Sequence, residues 1–586
     1  MSGTPHTYDG TSSDLPGWTR EDYPSELQPP IHIHDYGIRV KNDKFGLPFY
    51  PLKLLEHIFK RAVWHAEING LVGLNDTDKR LLYEKVLGSR SRVTETYIQI
   101  FAILKAIGQP NKLPLFVRAS VSDQQLPLSH ADANFLSRNG SDTLLLDEFV
   151  ARSGPHLFVL QQNHMVVPFF GNQPEPYNFT WTDIIPYVEV PRVQDATKSD
   201  ELSGSSGSVT KIRIHPFCHA YHDAVKPFKG SGDEIFFALK RFHDHDTTFE
   251  REVKALRRFN EAGHPHIAPL LAAFTSKHGR FLIFPWATHD LRMYWEVVQP
   301  NPNPSDAGLV QWVCRQAGRL VQAVSKIHAL PEDVGMHEQK DRCGRHGDLK
   351  PENILWYGSR PGCGKLVITD MGLSKLHRYI SKSYTIHGKV IASPRYRPPE
   401  LTYEGGHMGQ QFDIWTLGCI FLEMMCWLHG GYKQLQEMEI MITGPSIRSA
   451  NADTDEYYEW VEVESKGTKF YTVRVKEVVT KYIHTLRKSC SPFARDLLDI
   501  IEDYMLVVDR EERAAAKDLW GMMKGLDTKC KDLEYCTPKI EHKVRGPRKP
   551  KLQKMEVSKS QTFAGLHNIR GVSSSAFRED GCKLQI

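Results

Sequence analysis

One twelve-residue stretch restricts this chain more than any other: Gly344–Arg345–His346–Gly347–Asp348–Leu349–Lys350–Pro351–Glu352–Asn353–Ile354–Leu355. A carboxylate, an ammonium and an amide stand at positions 348, 350 and 353 of a polar loop that runs straight into apolar residues. A carboxylate so placed can accept a hydroxyl's proton and orient its attack. An amide oxygen a few residues on can reach a metal ion carried by phosphates. About twenty residues later, Leu366–Val367–Ile368–Thr369–Asp370–Met371–Gly372–Leu373 reads as an apolar strand that delivers Asp370 and then bends at Gly372. Strand-Asp-x-Gly is common by itself and gains meaning from its place after Asp348.

Further segments fall in a fixed order around these two. Phe236–Phe237–Ala238–Leu239–Lys240 ends an apolar strand on a lysine. The helix pattern that follows carries Glu252 in register with Leu256 and Phe259, so Glu252, rather than Glu250, is the expected partner of Lys240. Leu202–Ser203–Gly204–Ser205–Ser206–Gly207–Ser208–Val209 lies about thirty residues before Lys240. As composition it is a flexible linker; as position it suits a loop over phosphates. Beyond Asp370 come Ser393, then Tyr396–Arg397–Pro398–Pro399–Glu400, then Asp413–Ile414–Trp415–Thr416–Leu417–Gly418–Cys419, and finally Arg513.

Taken in this order, the motifs resemble those of the eukaryotic protein kinase superfamily over about residues 185–526. The texture around Phe284–Pro285–Trp286–Ala287 and Asp290–Leu291–Arg292 is similar to kinase-domain proteins of filamentous fungi. The resemblance implies an α+β, bilobal fold: a small β-rich lobe holding ATP, a larger helical lobe holding the protein substrate, and a hinge near Phe284, Trp286 and Ala287. It implies transfer of the γ-phosphate of ATP to serine or threonine. Asp348 would be the catalytic carboxylate, Lys350 would contact the moving phosphoryl group, and Asn353 and Asp370 would hold Mg²⁺. Gly204, Gly207, Val209, Ala238, Lys240 and Glu252 would belong to the ATP site. Gly372, Ser393, Glu400, Asp413 and Arg513 would shape the activation segment and its support, with Arg513 paired to Glu400. An insertion around Ile447 to Lys469 would lie far from the phosphates.

Three departures bear on function. Gly347 stands where kinases carry an Arg that grips a loop phosphate, so phosphorylation at Ser381, Ser383, Tyr384 or Thr385 is not expected to be the main switch. Met371 replaces Phe and Leu202 replaces a glycine. Because Leu202 weakens the glycine loop, the alternative reading is a pseudokinase-type binding or scaffold protein that signals through its N-terminal module. A third reading makes that module an adaptor that the kinase regulates. Against the pseudokinase stand Lys240, Glu252, Asp348, Lys350, Asn353 and Asp370.

The chain has 586 residues, too many for a single core. Residues 1–45 lack apolar periodicity and are expected to be disordered. Residues 46–184 form an α-rich or α+β module: Leu54, Ile58 and Val63 share one helical face, and a helix is expected over Val93 to Ile107 with Tyr97, Ile100, Phe101 and Leu104 inward. The run His156 to Phe170 is expected to form a hairpin turning near Gln162–Asn163. Residues 527–586 are expected to form a basic, disordered tail in which Lys543 to Lys554 is either solvated or a nuclear-import or acidic-partner segment. The net charge of +4 gives no case for nucleic acid or membrane binding. No secretory signal or spanning run is expected, and the ten cysteines show no metal spacing. The expected setting is therefore cytoplasmic or nuclear, with ATP and unidentified protein substrates as partners.

Overall fold

A computed structural model describes residues 18–20, 38–40, 49–59, 68–71, 74–87, 96–131, 134–136, 142–143, 154–173, 175–179, 184–190, 202–204, 207–228, 235–242, 249–329, 344–370, 394–402, 409–446, 449–465, 468–540 and 544–546. The chain divides into two compact units. The first comprises Met1–Lys226, Glu234–Thr247 and Leu271–Trp286; the second comprises Pro227–Asp233, Thr248–Leu270 and Ala287–Ile586.

In the first unit, helices precede a sheet, the longer of them among the described residues being α1 (Leu52–Phe59), α2 (Asp76–Leu87), α3 (Ile98–Ala106) and α4 (Gly154–Met165). Helix α3 starts later than the expected Val93. Its residues from Ile98 to Leu104 are all buried, so it is wrapped on every side rather than amphipathic. Its N-terminus is closed by Asp123, whose Oδ1 accepts from the amides of Gln99 (3.1 Å) and Ile100 (3.0 Å). Burial pushes the Asp123 carboxyl up to about 6, against the pull of these amides.

Helix α4 overturns the hairpin expected over His156 to Phe170. The expected turn at Gln162–Asn163 lies inside a helix that begins with Gly154–Pro155, a proline at the first turn. The two Leu, two Gln and one Met of the segment favour helix. Phe158, Gln162 and Met165 share its buried face. The Gln162 amide accepts from Leu128 N (2.8 Å) and donates to Leu128 O (2.5 Å), so a buried polar side chain is satisfied inside the helix, where the sequence suggested a turn.

The sheet has seven strands: β1 (Tyr177–Asn178), β2 (Tyr187–Glu189), β3 (Leu202–Gly204), β4 (Gly207–Ile214), β5 (Phe237–Arg241), β6 (Ala272–Ser276) and β7 (Gly279–Pro285). Their order is β1-β6-β7-β5-β4-β2, with β3 also paired to β4. Strands alternate their side chains between faces, and the register therefore sorts this sheet. Phe237 lies opposite Ile212, and Leu239 opposite Ile283. These residues, with Ile214, Phe274 and Phe281, join buried residues from Phe49 to Phe170, many of them helical, in one continuous apolar core. The short strands β1 and β2, from residues before 190, lie at the two ends of the sheet order.

In the second unit, α5 (Phe249–Ala262) is followed by α6 (Ala307–Ala329), α7 (Gln411–Ile442), α8 (Glu477–Arg487), α9 (Pro492–Ile500) and α10 (Ala516–Lys529), with a final turn of helix at Leu533–Cys536. Helical structure thus continues past residue 526. Strands β8 (His289–Asp290), β9 (Ile354–Tyr357) and β10 (Lys365–Ile368) form a small sheet. Helix α7 is the centre of this unit: every side chain from Phe412 to Leu428 is buried. Among the described residues it is the one helix long and apolar enough to cross a membrane, and its apolar stretch is 94% buried inside the protein. It breaks at Gly431, where φ is +73° and a Cβ would lie 2.6 Å from Pro300 O.

Candidate functional site

In the first unit, the expected nucleotide residues share one sheet face. Lys240 pairs with Val209 and Leu282, and Ala238 pairs with Lys211 and Phe284. Val209, Ala238, Lys240 and Phe284 therefore point away from the apolar core described above. Lys240 is buried. Either side of the Gly/Ser tract, β3 pairs antiparallel with β4, Gly204 opposite Gly207 and Leu202 opposite Val209. Trp286 N donates to Phe236 O (3.1 Å) at the end of β7. Lys211, which sequence reasoning passed over, stands over the rings of Phe236 (3.7 Å) and Trp286 (5.6 Å) on the same face as Lys240. Its only sequence signal was its place two residues after Val209.

In the second unit, Glu252 lies buried on α5, and Ala287 packs against the small cluster of Ala268, Tyr357 and Val367. The loop from Gly344 to Asn353 is held from beneath by Asp413 at the start of α7. The Asp413 carboxylate accepts from His346 N (2.8 Å), Gly347 N (2.8 Å) and the ring of His328 (2.8 Å). Burial alone would raise this carboxyl; the His328 contact and the amide bonds outweigh it and hold it below the usual range. His328 is a further residue missed in the sequence, because residues 330–343 separate it from the loop it supports. Gly347 adopts φ +82°, a left-handed conformation in which a larger residue is strained.

The polar side chains of the loop converge. Lys350 Nζ is 3.2 Å from Asp348 Oδ2. Asn353 Nδ2 donates to Asp348 Oδ2 (3.1 Å) and Asp348 O (2.7 Å). That fixes which edge of the amide faces Asp348 and turns Oδ1 to the other side. Thr369 N donates to Asn353 O (3.0 Å), and His346 binds Thr369 O (2.9 Å), so the residue before Asp370 is tied to the same loop. Asp370 itself has φ +61°. Asn353 and Asp370 offer oxygen donors only, which suits a hard divalent cation such as Mg²⁺ sharing its shell with phosphates.

Glu400 and Arg513, 113 residues apart, form the expected buried pair. Arg513 Nη1 and Nη2 donate to the two carboxylate oxygens at 2.7 and 2.6 Å. Gly372 and Ser393 lie outside the described residues, as do Met371 and the four hydroxyl positions from Ser381 to Thr385.

A family model described as "Protein kinase domain" matches residues 224–522, just over half of the chain. The chain belongs to the protein kinase family. Curated relatives agree with this. "Cyclin-dependent kinase 8" of Drosophila melanogaster is 29% identical over 238 residues, covering 39% of this chain and 48% of the relative. The protein of the same name from Caenorhabditis elegans is 30% identical over 172 residues, 28% of this chain and 27% of the relative. "Serine/threonine-protein kinase ssn3" of Aspergillus niger is 25% identical over 236 residues, 38% of this chain and 51% of the relative. The chain thus spans about half or less of the length of these relatives. The kinase match begins at residue 224, yet the sheet core of the first unit also includes the helices from Leu52 onward.

Proposed function

We propose that this kinase is an active, Mg²⁺-dependent enzyme that transfers the γ-phosphate of ATP to serine and threonine hydroxyls of proteins. The observation that carries the reading is the Asp348–Lys350–Asn353 cluster, with all three groups within hydrogen-bond or ion-pair reach and anchored on Asp413. Asp348 accepts the acceptor hydroxyl's proton and aims its lone pair. Lys350 balances charge on the phosphoryl oxygens and on Asp348. Asn353 keeps the Asp348 carboxylate in one rotamer while presenting Oδ1 with Asp370 for the cation. Lys240 positions the nucleotide phosphates. Bound Mg²⁺ supplies charge neutralisation on the phosphates.

The test is labelling of mixed histones with radiolabelled ATP by the purified chain. Wild type labels; Lys240→Met and Asp348→Asn do not. Phosphoserine and phosphothreonine exceed phosphotyrosine at least about tenfold, since misplacement of a reacting oxygen by about 1 Å costs roughly two orders of magnitude. Equal labelling by wild type and Asp348→Asn refutes the proposal. ATP raises the melting temperature more with Mg²⁺ than with EDTA, and Asp370→Asn removes that difference; a shift independent of metal supports the pseudokinase instead.

A further inference from the structure

The chain between α7 and α8 is an insertion folded as paired strands. Gly444–Ser446 pairs with Ser449–Thr454, and a longer hairpin of β11 (Tyr458–Ser465) and β12 (Thr468–Val475) runs through eight residue pairs without a register break. Its base is fixed to the second unit. Lys476 Nζ donates to Ile442 O (2.7 Å) and Thr454 O (3.0 Å), Lys476 N donates to Tyr457 O (3.0 Å), and Tyr458 meets Trp415 edge-on at 6.0 Å.

From this base Asp455 reaches Arg395, and Tyr457 reaches the carboxylate that also holds Tyr396, four residues before Glu400. Tyr457 Oη donates to Glu423 of α7 (3.0 Å), and Tyr396 Oη donates to the same carboxylate (3.0 Å). Asp455 accepts from Arg395 Nε (3.2 Å); Arg395 Nη1 pairs with Glu439 (2.6 Å) and lies 4.0 Å from Glu423. Arg292 also donates both Nη groups to Glu439. Glu423 has no exposed surface, and burial pushes its carboxyl up to about 7 despite the opposing pull of Arg395. Two tyrosine hydroxyls and a guanidinium compensate that burial. The base of the insertion, which was expected only to lie far from the phosphates, is thus bonded to Arg395 and to Glu423. Residues 394–396 form one short 3₁₀ turn and take their place from these side chains.

We propose that Asp455 and Tyr457 are positioning residues for phosphoryl transfer to protein, and that the inserted hairpin fixes the seat of the protein substrate through Arg395 and Tyr396. The proposal rests on the kinase reading, in which the segment ending at Glu400 lies beside the acceptor peptide. Neither residue touches reacting atoms. Asp455 holds Arg395 directly, and Tyr457 holds the Glu423 carboxylate to which Tyr396 is tethered. Losing either tether widens the range of positions open to the segment, so acceptor binding weakens while nucleotide binding does not.

The experiment is initial-rate kinetics on the full chain with mixed histones and ATP varied separately. Asp455→Asn and Tyr457→Phe each raise the histone KM about fivefold, the effect of one hydrogen bond, while the ATP KM stays within about twofold. Asp455→Glu, which keeps the charge, recovers much of the loss. Glu464→Gln, near the free end of the hairpin, matches wild type. Amide exchange over residues 394–402 quickens in the first two variants only. Histone KM values within about twofold of wild type in both variants overturn the proposal, and so does an ATP KM that rises in step with the histone KM. Should Asp455→Asn fail to fold, Tyr457→Phe, which removes one oxygen, decides alone. Failure of the kinase reading shows separately, as full labelling by Asp348→Asn.

Discussion

Removing Arg513 is the sharpest test of how the second unit is held together. Its guanidinium is fully buried and makes five contacts: both oxygens of Glu400, Val507 O (2.6 Å), Gln411 O (2.9 Å) and Val508 O (3.3 Å). It also lies 5.0 Å over the Trp415 ring. Glu400 is 1% exposed, so Arg513→Met leaves a carboxylate in the core with no counter-charge. Breaking such a pair costs about 3–5 kcal/mol. Glu400→Gln keeps an acceptor for one guanidinium nitrogen and leaves the charge of Arg513 solvated by three carbonyls, which predicts about 2–3 kcal/mol. The double variant Glu400→Gln/Arg513→Met removes both charges and leaves packed methylenes and thioether in place of the pair. Its cost falls below the larger single value, and the coupling between the two sites is at least about 2 kcal/mol. Urea unfolding at pH 7 followed by circular dichroism, with amide exchange over residues 399–402 and 507–513, measures all three. A cost below about 1 kcal/mol for Arg513→Met, or strict additivity in the double variant, refutes the reasoning.

Three further outcomes follow from other parts of the molecule. The Asp123 carboxyl is raised from its ordinary 3.8 to about 6, so its contribution to stability is full below pH 3.8 and is lost as pH rises through 6. Asp123→Asn should flatten stability between pH 4 and 7 and raise it at pH 8 by as much as ~3 kcal/mol, measured by urea titration at each pH. A truncated chain starting at residue 191 should be insoluble or bind a hydrophobic dye, because it uncovers Ile212, Ile214, Phe237, Leu239, Phe274, Phe281 and Ile283 together. Phosphatase treatment should change activity by less than about threefold, or roughly 0.7 kcal/mol of barrier, because Gly347 offers no guanidinium to a loop phosphate; Gly347→Arg should lower stability as well, since its φ of +82° strains any side chain.

The candidate site of this chain was legible because it is local. Asp348, Lys350 and Asn353 sit within six residues, and the distances among them follow from one loop. Strand alternation likewise placed Val209, Ala238, Lys240 and Phe284 on one face once the register was known. What escaped the sequence was held together over long separations. His328 reaches Asp413 across 85 positions, and Tyr457 reaches Glu423 across 34. Neither partner carries a spacing that announces it. Helix α4 was misjudged because its decisive contact, Gln162 on Leu128, satisfies a polar side chain at a distance that no local pattern records.

The same reasoning explains why the N-terminal helices could not be read as part of the β-sheet unit. Helix α3 is apolar on every side and therefore has no stripe to indicate its partner. The partner lies in strands that begin about a hundred residues later, where Phe237 and Leu239 alternate with Ala238 and Lys240. In isolation that alternation predicts a strand with one face in a core and one face free. The sequence identifies Lys240 by its motif and so assigns chemistry to one face. The other face needs an apolar cover of matching size, and within the first unit the helices from Leu52 to Met165 supply it. The candidate site on one side of a sheet and burial on the other are thus joined by a period of two residues: a change that moved Lys240 to its neighbour's position would bury its charge among Phe274, Phe281 and Ile283 and remove it from the face it shares with Val209, Ala238 and Phe284 in a single step.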